Sequence, residues 1–263
     1  MNALRIVSLQ SGSNGNSYFV ESGNIRFLID SGITASRTVE RLTHAGIDIA
    51  SVQGILISHA HSDHISGAGV LHRRYKIPVW LTQGAYHQVS TSPNIAKKLG
   101  KLQEPHLFHA GESLQFDGVT IETISTPHDA LDSVCFVFDD GQVRLGIITD
   151  LGCRFLGLGE IVETLDAILL ESNYDEKMLE TGMYPEELKQ RIRSNTGHLS
   201  NIESAKLIQQ HGKHLRWACL GHLSEHNNTP EKTLDTHQKM IGNNLDIFIA
   251  SRYQCTELPA LYH

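Results

Sequence analysis

No stretch of this sequence stays apolar for the ~18–20 residues that cross a bilayer. The opening, Met1 to Gln10, lacks the charged head, long apolar middle and small-residue cleavage site of a secretory leader. Both absences lead to the expectation of a cytoplasmic protein with no membrane partner. Cysteine is scarce. Cys135, Cys153, Cys219 and Cys255 lie far apart and form no CxxC pair, which argues against a disulfide frame or a cysteine zinc site and for reduced, buried thiols. No Pro- or Ser-rich linker divides the chain and no short repeat is visible, so residues 1–263 are read as a single domain. A basic excess is missing too. The net charge is −7 with histidines neutral, which counts against broad coating of polyanions. Two divalent ions would nonetheless place four positive charges where a phosphate must bind.

Histidine, in contrast, is plentiful at 16 residues. Its densest cluster is His59-Ala-His61-Ser-Asp63-His64, directly after the apolar run Gly54 to Ser58. Such a run reads as a buried strand, and the polar cluster as a loop at the sheet edge. Imidazole and carboxylate are ligands for zinc, manganese or iron. Residues i and i+2 of an extended segment point to one side, so His59 and His61 can reach one metal. Asp63 and His64 follow the turn and can reach a second.

Strands are expected at Leu4 to Leu9, Tyr18 to Glu21, Ile25 to Asp30, Val79 to Leu81, Val119 to Ile124, Val134 to Phe138, Leu145 to Thr149, Ala167 to Leu170, Trp217 to Leu220 and Ile247 to Ala250. Helices are expected at Thr34 to Ala45, Gly67 to Tyr75, Glu160 to Thr164, Pro185 to Arg193, Ile202 to Gln210 and Pro230 to Met240. Strand groups followed by helices suggest an α/β sandwich, two sheets face to face with helices outside. Three residues at strand ends can complete a two-metal site: His128 in Ser-Thr-Pro-His-Asp, Asp150 closing Leu-Gly-Ile-Ile-Thr-Asp, and His222 closing Trp-Ala-Cys-Leu-Gly-His.

His59-x-His61-x-Asp63-His64, then His128, Asp150 and His222, resembles the metallo-β-lactamase-fold hydrolases. Asp30, in Phe-Leu-Ile-Asp-Ser-Gly, matches that family's early supporting aspartate. The resemblance implies a four-layer αβ/βα sandwich and two divalent metals, zinc foremost with manganese or iron as alternatives. One metal would be held by His59, His61 and His128, the other by Asp63, His64 and His222, with Asp150 bridging. Three further segments resemble the YycJ/WalJ-type proteins of the RNase Z and phosphodiesterase branch: Ser11 to Ser17, Gly197 to Asn201, and Leu220 to Asn228. That group is associated with 5′→3′ exonuclease action on DNA. Only 71 residues separate Asp150 from His222, too few for a β-CASP insertion.

In such a site a bridging water is activated and the hydroxide attacks phosphorus in line with the leaving oxygen. Asp63 and His198 are the candidate catalytic residues, His198 as proton donor by resemblance. Ser11, Asn14, Asn16 and Asn228 are candidate supporting or substrate-binding residues, and Asn227 and His226 lie beside them. Arg73, Arg74, Lys76, Lys97, Lys98 and Lys101 are the best basic patches, while Trp80 and Trp217 read as core. The expected partner is a nucleic acid or another phosphodiester. A thioester or lactone hydrolase of the glyoxalase II type, a small cyclic phosphodiesterase and a metal-bearing binding protein remain the alternatives.

Overall fold

The computed structural model describes residues 3–262, so Met1, Asn2 and His263 lie outside the described residues. The first sheet is built from β1 (Ala3–Gln10), β2 (Ser17–Ser22), β3 (Ile25–Ile29), β4 (Gly54–Leu56), β5 (Val79–Thr82) and β6 (His106–Phe108). The second contains β7 (Ser113–Phe116), β8 (Val119–Ser125), β9 (Val134–Asp139), β10 (Arg144–Ile148), β11 (Ala167–Glu171), β12 (Trp217–Gly221) and β13 (Asp246–Ile249). Two short strands, β14 (Thr256–Glu257) and β15 (Leu261–Tyr262), return to pair with β1. Each sheet begins as an antiparallel meander and continues with parallel strands: β1 to β3 then β4 to β6, and β7 to β10 then β11 to β13.

The layering follows from the alternation of apolar residues. Ile6, Tyr18, Phe27 and Ile29 face Ile121, Phe136, Leu145 and Leu169 between the sheets. Their neighbours Val7, Phe19 and Leu28 face outward onto α1 (Ala35–His44), α2 (Ser62–Ile65), α3 (Ala68–Tyr75), α4 (Gln83–Thr91) and α5 (Pro93–Leu99). On the other side, Ile148, Ile168 and Leu220 pack under α6 (Leu158–Glu163) and α9 (Asn201–His211). The remaining helices are α7 (Glu176–Thr181), α8 (Glu186–Arg193) and α10 (Pro230–Ile241). Successive strand residues point to opposite faces, so a sheet apolar on both faces needs a partner layer on each. Each such Leu, Ile or Phe contributes about 1.5–3 kcal/mol. The result is the expected four-layer sandwich. The sequence pattern predicts no helix over residues 83–99. That segment forms α4 and α5, where Thr82 caps one helix and Pro93 starts the next. Among the described residues no helix is long and apolar enough to cross a membrane.

Two glycines bring backbone to the site. A Cβ on Gly32 would lie 1.6 Å from the Asp63 carbonyl oxygen, and one on Gly152 would lie 2.2 Å from that of Asn195. Each follows an aspartate by two residues, in Asp30-Ser-Gly32 and Asp150-Leu-Gly152.

Candidate metal centre

Strand ends from both sheets meet at one rim. Asp30 follows β3, His59 follows β4, His128 follows β8, Asp150 follows β10, Glu171 ends β11 and His222 follows β12. Asp30, Asp150 and His222 adopt left-handed backbone, with φ of 58°, 61° and 55°. Non-glycine residues rarely do so without a compensating interaction. Here the turn swings each side chain from the strand line toward the shared centre.

All seven predicted ligands converge. His59, His61 and His128 have donor atoms within 4.8 Å of one another, as do Asp63, His64 and His222. Asp150 lies between them. Its Oδ1 is 3.7 Å from His128 Nε2 and its Oδ2 is 3.5 Å from His64 Nε2. His222 Nε2 is 3.7 Å from Asp63 Oδ2. Ligands about 2.0–2.2 Å from one tetrahedral ion stand roughly 3.4 Å apart, which is this spacing. His59 Nε2, His222 Nε2 and Asp150 Oδ2 are buried with no hydrogen-bond partner. Unpaired buried polar atoms are costly, and divalent ions, one at each histidine group, would satisfy these three. The residues therefore fit divalent metal ions.

Charge divides the cluster into two parts. Burial, reinforced by neighbouring imidazoles, holds His59 and His61 below the ordinary imidazole range, and burial also lowers His128. These three stand as neutral imidazoles, the form that binds metal. Burial opposes charge on His64 as well, but Asp150, Asp30 and Asp63 outweigh it and raise its pKa to about 9. His222 is raised well above its usual value against the same burial by Asp150, Asp63 and Glu171. Burial would raise Asp150, yet His222 and His64 hold it well below the usual carboxylate range. Asp63 is lowered against its burial by His64 and His222.

A shell of fixed partners orients these groups. Asp30 Oδ1 accepts from the Ser58 backbone N–H at 2.8 Å. Its Oδ2 receives the Ser58 hydroxyl at 2.8 Å and pairs with His64 Nδ1 at 2.7 Å. Asn16 Nδ2 lies 3.1 Å from His64 Nε2, and its Oδ1 accepts from Gly12 N–H. Ser11 Oγ accepts from His222 N–H at 2.8 Å and bonds the Tyr18 hydroxyl. Asn14 is exposed and donates to the Arg252 carbonyl, away from the ligands. Asn228 is buried with its amide directed inward, where Nδ2 donates to the Ser172 and Asn173 carbonyls. Asn227 is buried beside it, and His226 is exposed with its ring edge against Tyr184. Arg73 donates to the Leu99 and Lys101 carbonyls and so fastens the end of α5. Trp217 is core, whereas Trp80 is half-buried and stacked on His106.

Sequence reasoning missed Glu171. This fully buried carboxylate joins the metal cluster to His198. Its Oε1 pairs with His222 Nδ1 at 2.7 Å and His198 Nδ1 at 2.8 Å. Its Oε2 accepts from Leu151 and Leu199 N–H. Burial would raise its pKa, but His198 and His222 hold it low. The signal was present, since Ala-Ile-Leu-Leu-Glu171 ends an apolar strand in an acid as the runs before Asp30 and Asp150 do. Asp129 was also missed. Its Oδ1 lies 3.6 Å from His61 Nε2 and 3.4 Å from His128 Nε2, and its Oδ2 pairs with Arg191. His198 itself is part-exposed, with its ring 5.2 Å from those of both His128 and His222. It lines an open cleft of about 210 Å³ with Ser13, Tyr184 and Arg191.

A two-sheet sandwich with a histidine–aspartate centre at one rim defines a class of metallohydrolase folds, and the chain belongs to the metallo-beta-lactamase superfamily, whose family description matches residues 11–151. Within it, the chain is 34% identical over 226 residues to the exodeoxyribonuclease WalJ of Streptococcus pneumoniae serotype 2, covering 85% of this chain and 82% of that one. It is 32% identical over 231 residues to the exodeoxyribonuclease YycJ of Bacillus anthracis, covering 85% and 83%. The metallo-beta-lactamase fold protein YhfI of Bacillus subtilis shares the fold at a TM-score of 0.72 and 16% identity, over 97% of this chain and all of that one.

Proposed function

We propose that this protein is a metal-dependent phosphodiesterase that digests DNA as an exonuclease. The observation that carries the substrate is the identity, above 30% over 85% of the chain, to two relatives named exodeoxyribonucleases. His59, His61 and His128 would hold one divalent ion and Asp63, His64 and His222 a second, with Asp150 shared. Zinc suits this donor set best, and manganese or iron fits it too. Ions so placed supply Lewis acidity to a phosphoryl group and activate water near neutral pH.

The chain's own groups do the rest. Asp30 and Glu171 fix the tautomers of His64 and His222 by accepting from Nδ1, so that Nε2 faces the centre. Asn16 Nδ2 lies 3.1 Å from His64 Nε2, at the edge of the place an ion would take. His198 stands at the open cleft with Nδ1 tied to Glu171, leaving Nε2 to give a proton to the departing oxygen of the cleaved ester. The return of β14 and β15 to β1 supports reading residues 1–263 as one domain. Four free cysteines support a cytoplasmic setting.

Digestion of end-labelled DNA and RNA, after Zn²⁺ or Mn²⁺ is added to metal-stripped protein, tests the proposal. Shortening of DNA from one end is the expected result. If neither polymer is cleaved and bis-p-nitrophenyl phosphate is also untouched, the proposal fails. Thiol release from S-lactoylglutathione would then point to a thioester hydrolase.

A further inference from the structure

A second cavity, of about 360 Å³, borders the cleft at His198. Ser224 lines both this cavity and the cleft at His198. Ser11, whose hydroxyl holds the His222 backbone, forms part of its wall. Leu223, Pro230, Ile249 and Ala250 give it apolar surface, and the N-terminus of α10 borders it at Thr229.

Arg252 also lines this cavity, and its state is unusual. Nε, Nη1 and Nη2 are all buried and none has a hydrogen-bond partner, with the side chain only 11% exposed. Arg41, Arg73, Arg144 and Arg191, by contrast, all donate to defined acceptors. A buried guanidinium without acceptors is strongly disfavoured. The nearest counter-charge is Glu225 Oε2 at 3.7 Å, beyond hydrogen-bond reach. Glu225 is itself half-exposed, and its other oxygen accepts from the Tyr253 hydroxyl at 3.3 Å. Tyr253 is 63% exposed, and its ring lies 5.8 Å from the guanidinium carbon. A planar cation, an exposed aromatic ring and an apolar floor are the parts from which single-stranded nucleic acid sites are built.

We propose that this cavity is a nucleotide subsite: a phosphate displaces Glu225 and takes the Arg252 guanidinium, while the sugar or base lies over the apolar floor beside Tyr253. The proposal rests on the phosphodiesterase reading and extends it to the nucleotide next to the cleaved bond. Arginine matches phosphate with two parallel hydrogen bonds, which the Glu225 carboxylate at its present distance does not supply. Glu225 acts as a resident anion that incoming phosphate replaces.

Calorimetric titration of the zinc-loaded protein with thymidine 5′-monophosphate, and with thymidine, tests this directly. Arg252→Gln is expected to weaken the nucleotide by about tenfold or more, the worth of a charge-assisted pair. Glu225→Gln is expected to tighten it by about two- to fivefold, since it removes a competing surface anion. Neither variant should move the affinity for thymidine, which has no phosphate. Opposite shifts from neighbouring variants do not arise from simple unfolding, and Glu225→Gln still decides if Arg252→Gln does not fold. No change with either variant overturns the proposal. The titration reads the subsite even if DNA is not the substrate, so the two readings can fail separately. Where DNA is cleaved, the KM of Arg252→Gln on 5′-phosphorylated and 5′-hydroxyl oligonucleotides identifies the source of the phosphate. A rise on the phosphorylated chain alone assigns the chain end, a rise on both assigns an internal phosphate, and a rise on neither overturns the subsite.

Discussion

The two halves of the molecule supply the candidate metal centre in different ways. The first, through β6, sends His59, His61, Asp63 and His64 from one six-residue segment. The second sends His128, Asp150, Glu171, His198 and His222 from five separate places. Yet the halves share a device. Each ends its antiparallel meander in an aspartate with left-handed backbone, Asp30 at φ 58° and Asp150 at φ 61°, followed two residues later by a glycine that lets backbone pass close by. The two aspartates do opposite work. Both oxygens of Asp30 are engaged by Ser58 and His64, whereas Asp150 Oδ2 has no hydrogen-bond partner. A buried carboxylate with both oxygens hydrogen-bonded positions its neighbours, and one left open is free to take an ion. The place in the fold does not separate these roles; hydrogen-bond satisfaction does.

The sharpest test of that contrast replaces each aspartate by asparagine. Asp150→Asn is expected to reduce turnover of bis-p-nitrophenyl phosphate by well over about 100-fold, above the range of outer-shell changes. Asp30→Asn is expected to fall inside that range, about 10–100-fold, and to weaken metal binding through a misoriented His64. Metal content by atomic absorption, read beside initial rates, checks both. Equal losses from the two would erase the distinction.

His198 belongs to the dispersed half and carries the next largest effect. His198→Ala is expected to slow DNA cleavage by about 10²–10⁴-fold, the usual worth of a positioned acid. The same variant should slow bis-p-nitrophenyl phosphate far less, because p-nitrophenolate departs without a proton. Parallel losses on both substrates would remove His198 as proton donor and leave it a packing partner of His128 and His222.

The same contrast explains what was legible in the chain. The first half's ligands could be read as chemistry because they are contiguous after an apolar strand. His128, Asp150 and His222 were each found as a polar residue closing an apolar run. Glu171 was passed over because the expected strand stopped at Leu170, one residue short, so the acid fell in unassigned chain. Asp129 stood next to a quoted histidine, but its value comes from Arg191, 62 residues away. The sandwich was readable from strand grouping and the apolar pattern. Helices α4 and α5 were not, since Gln83 to Leu99 has modest apolar periodicity and is fixed by caps at Thr82 and Pro93. Arg252 could not be seen at all, because a guanidinium's want of partners exists only in three dimensions.

Dispersed residues need separate bracing, and His237 is one brace. It is buried in α10, with Nδ1 donating to the Thr233 carbonyl and Nε2 beside the Ser204 hydroxyl of α9. Burial pushes its pKa down to about 4. The unfolded chain takes up this proton below ~6.5, whereas the folded one does so only near 4. Its contribution is therefore complete above pH ~6.5 and declines as pH falls toward 4, by about 3 kcal/mol in all. His237→Gln should be less stable than the parent at pH 7 and show a shallower decline on acidification. Urea unfolding of metal-stripped protein at pH 7, 6 and 5 measures this. A parent and variant with the same acid slope would show that His237 is not held neutral.

The smallest expected effects address the bracing itself. Asn228 donates to the carbonyls of Ser172 and Asn173, exchanges hydrogen bonds with Asn201, and accepts from Thr229 N–H and the Thr233 hydroxyl. It thus ties the chain after β11 to the start of α9, just past His198, and to the start of α10. Asn228→Ala leaves several buried partners unmet and should cost about 2 kcal/mol, in addition to lowering turnover by loosening His198 and His222. In the contiguous half, Ser17 donates one hydroxyl hydrogen bond to the Asp30 carbonyl at 3.0 Å. Ser17→Ala should cost about 1 kcal/mol and leave the order of the His59–His64 segment intact. Denaturant midpoints and rates for both variants make the comparison. If Ser17→Ala harms activity as much as Asn228→Ala, the first half depends on distant bracing too, and contiguity of its ligands confers no independence.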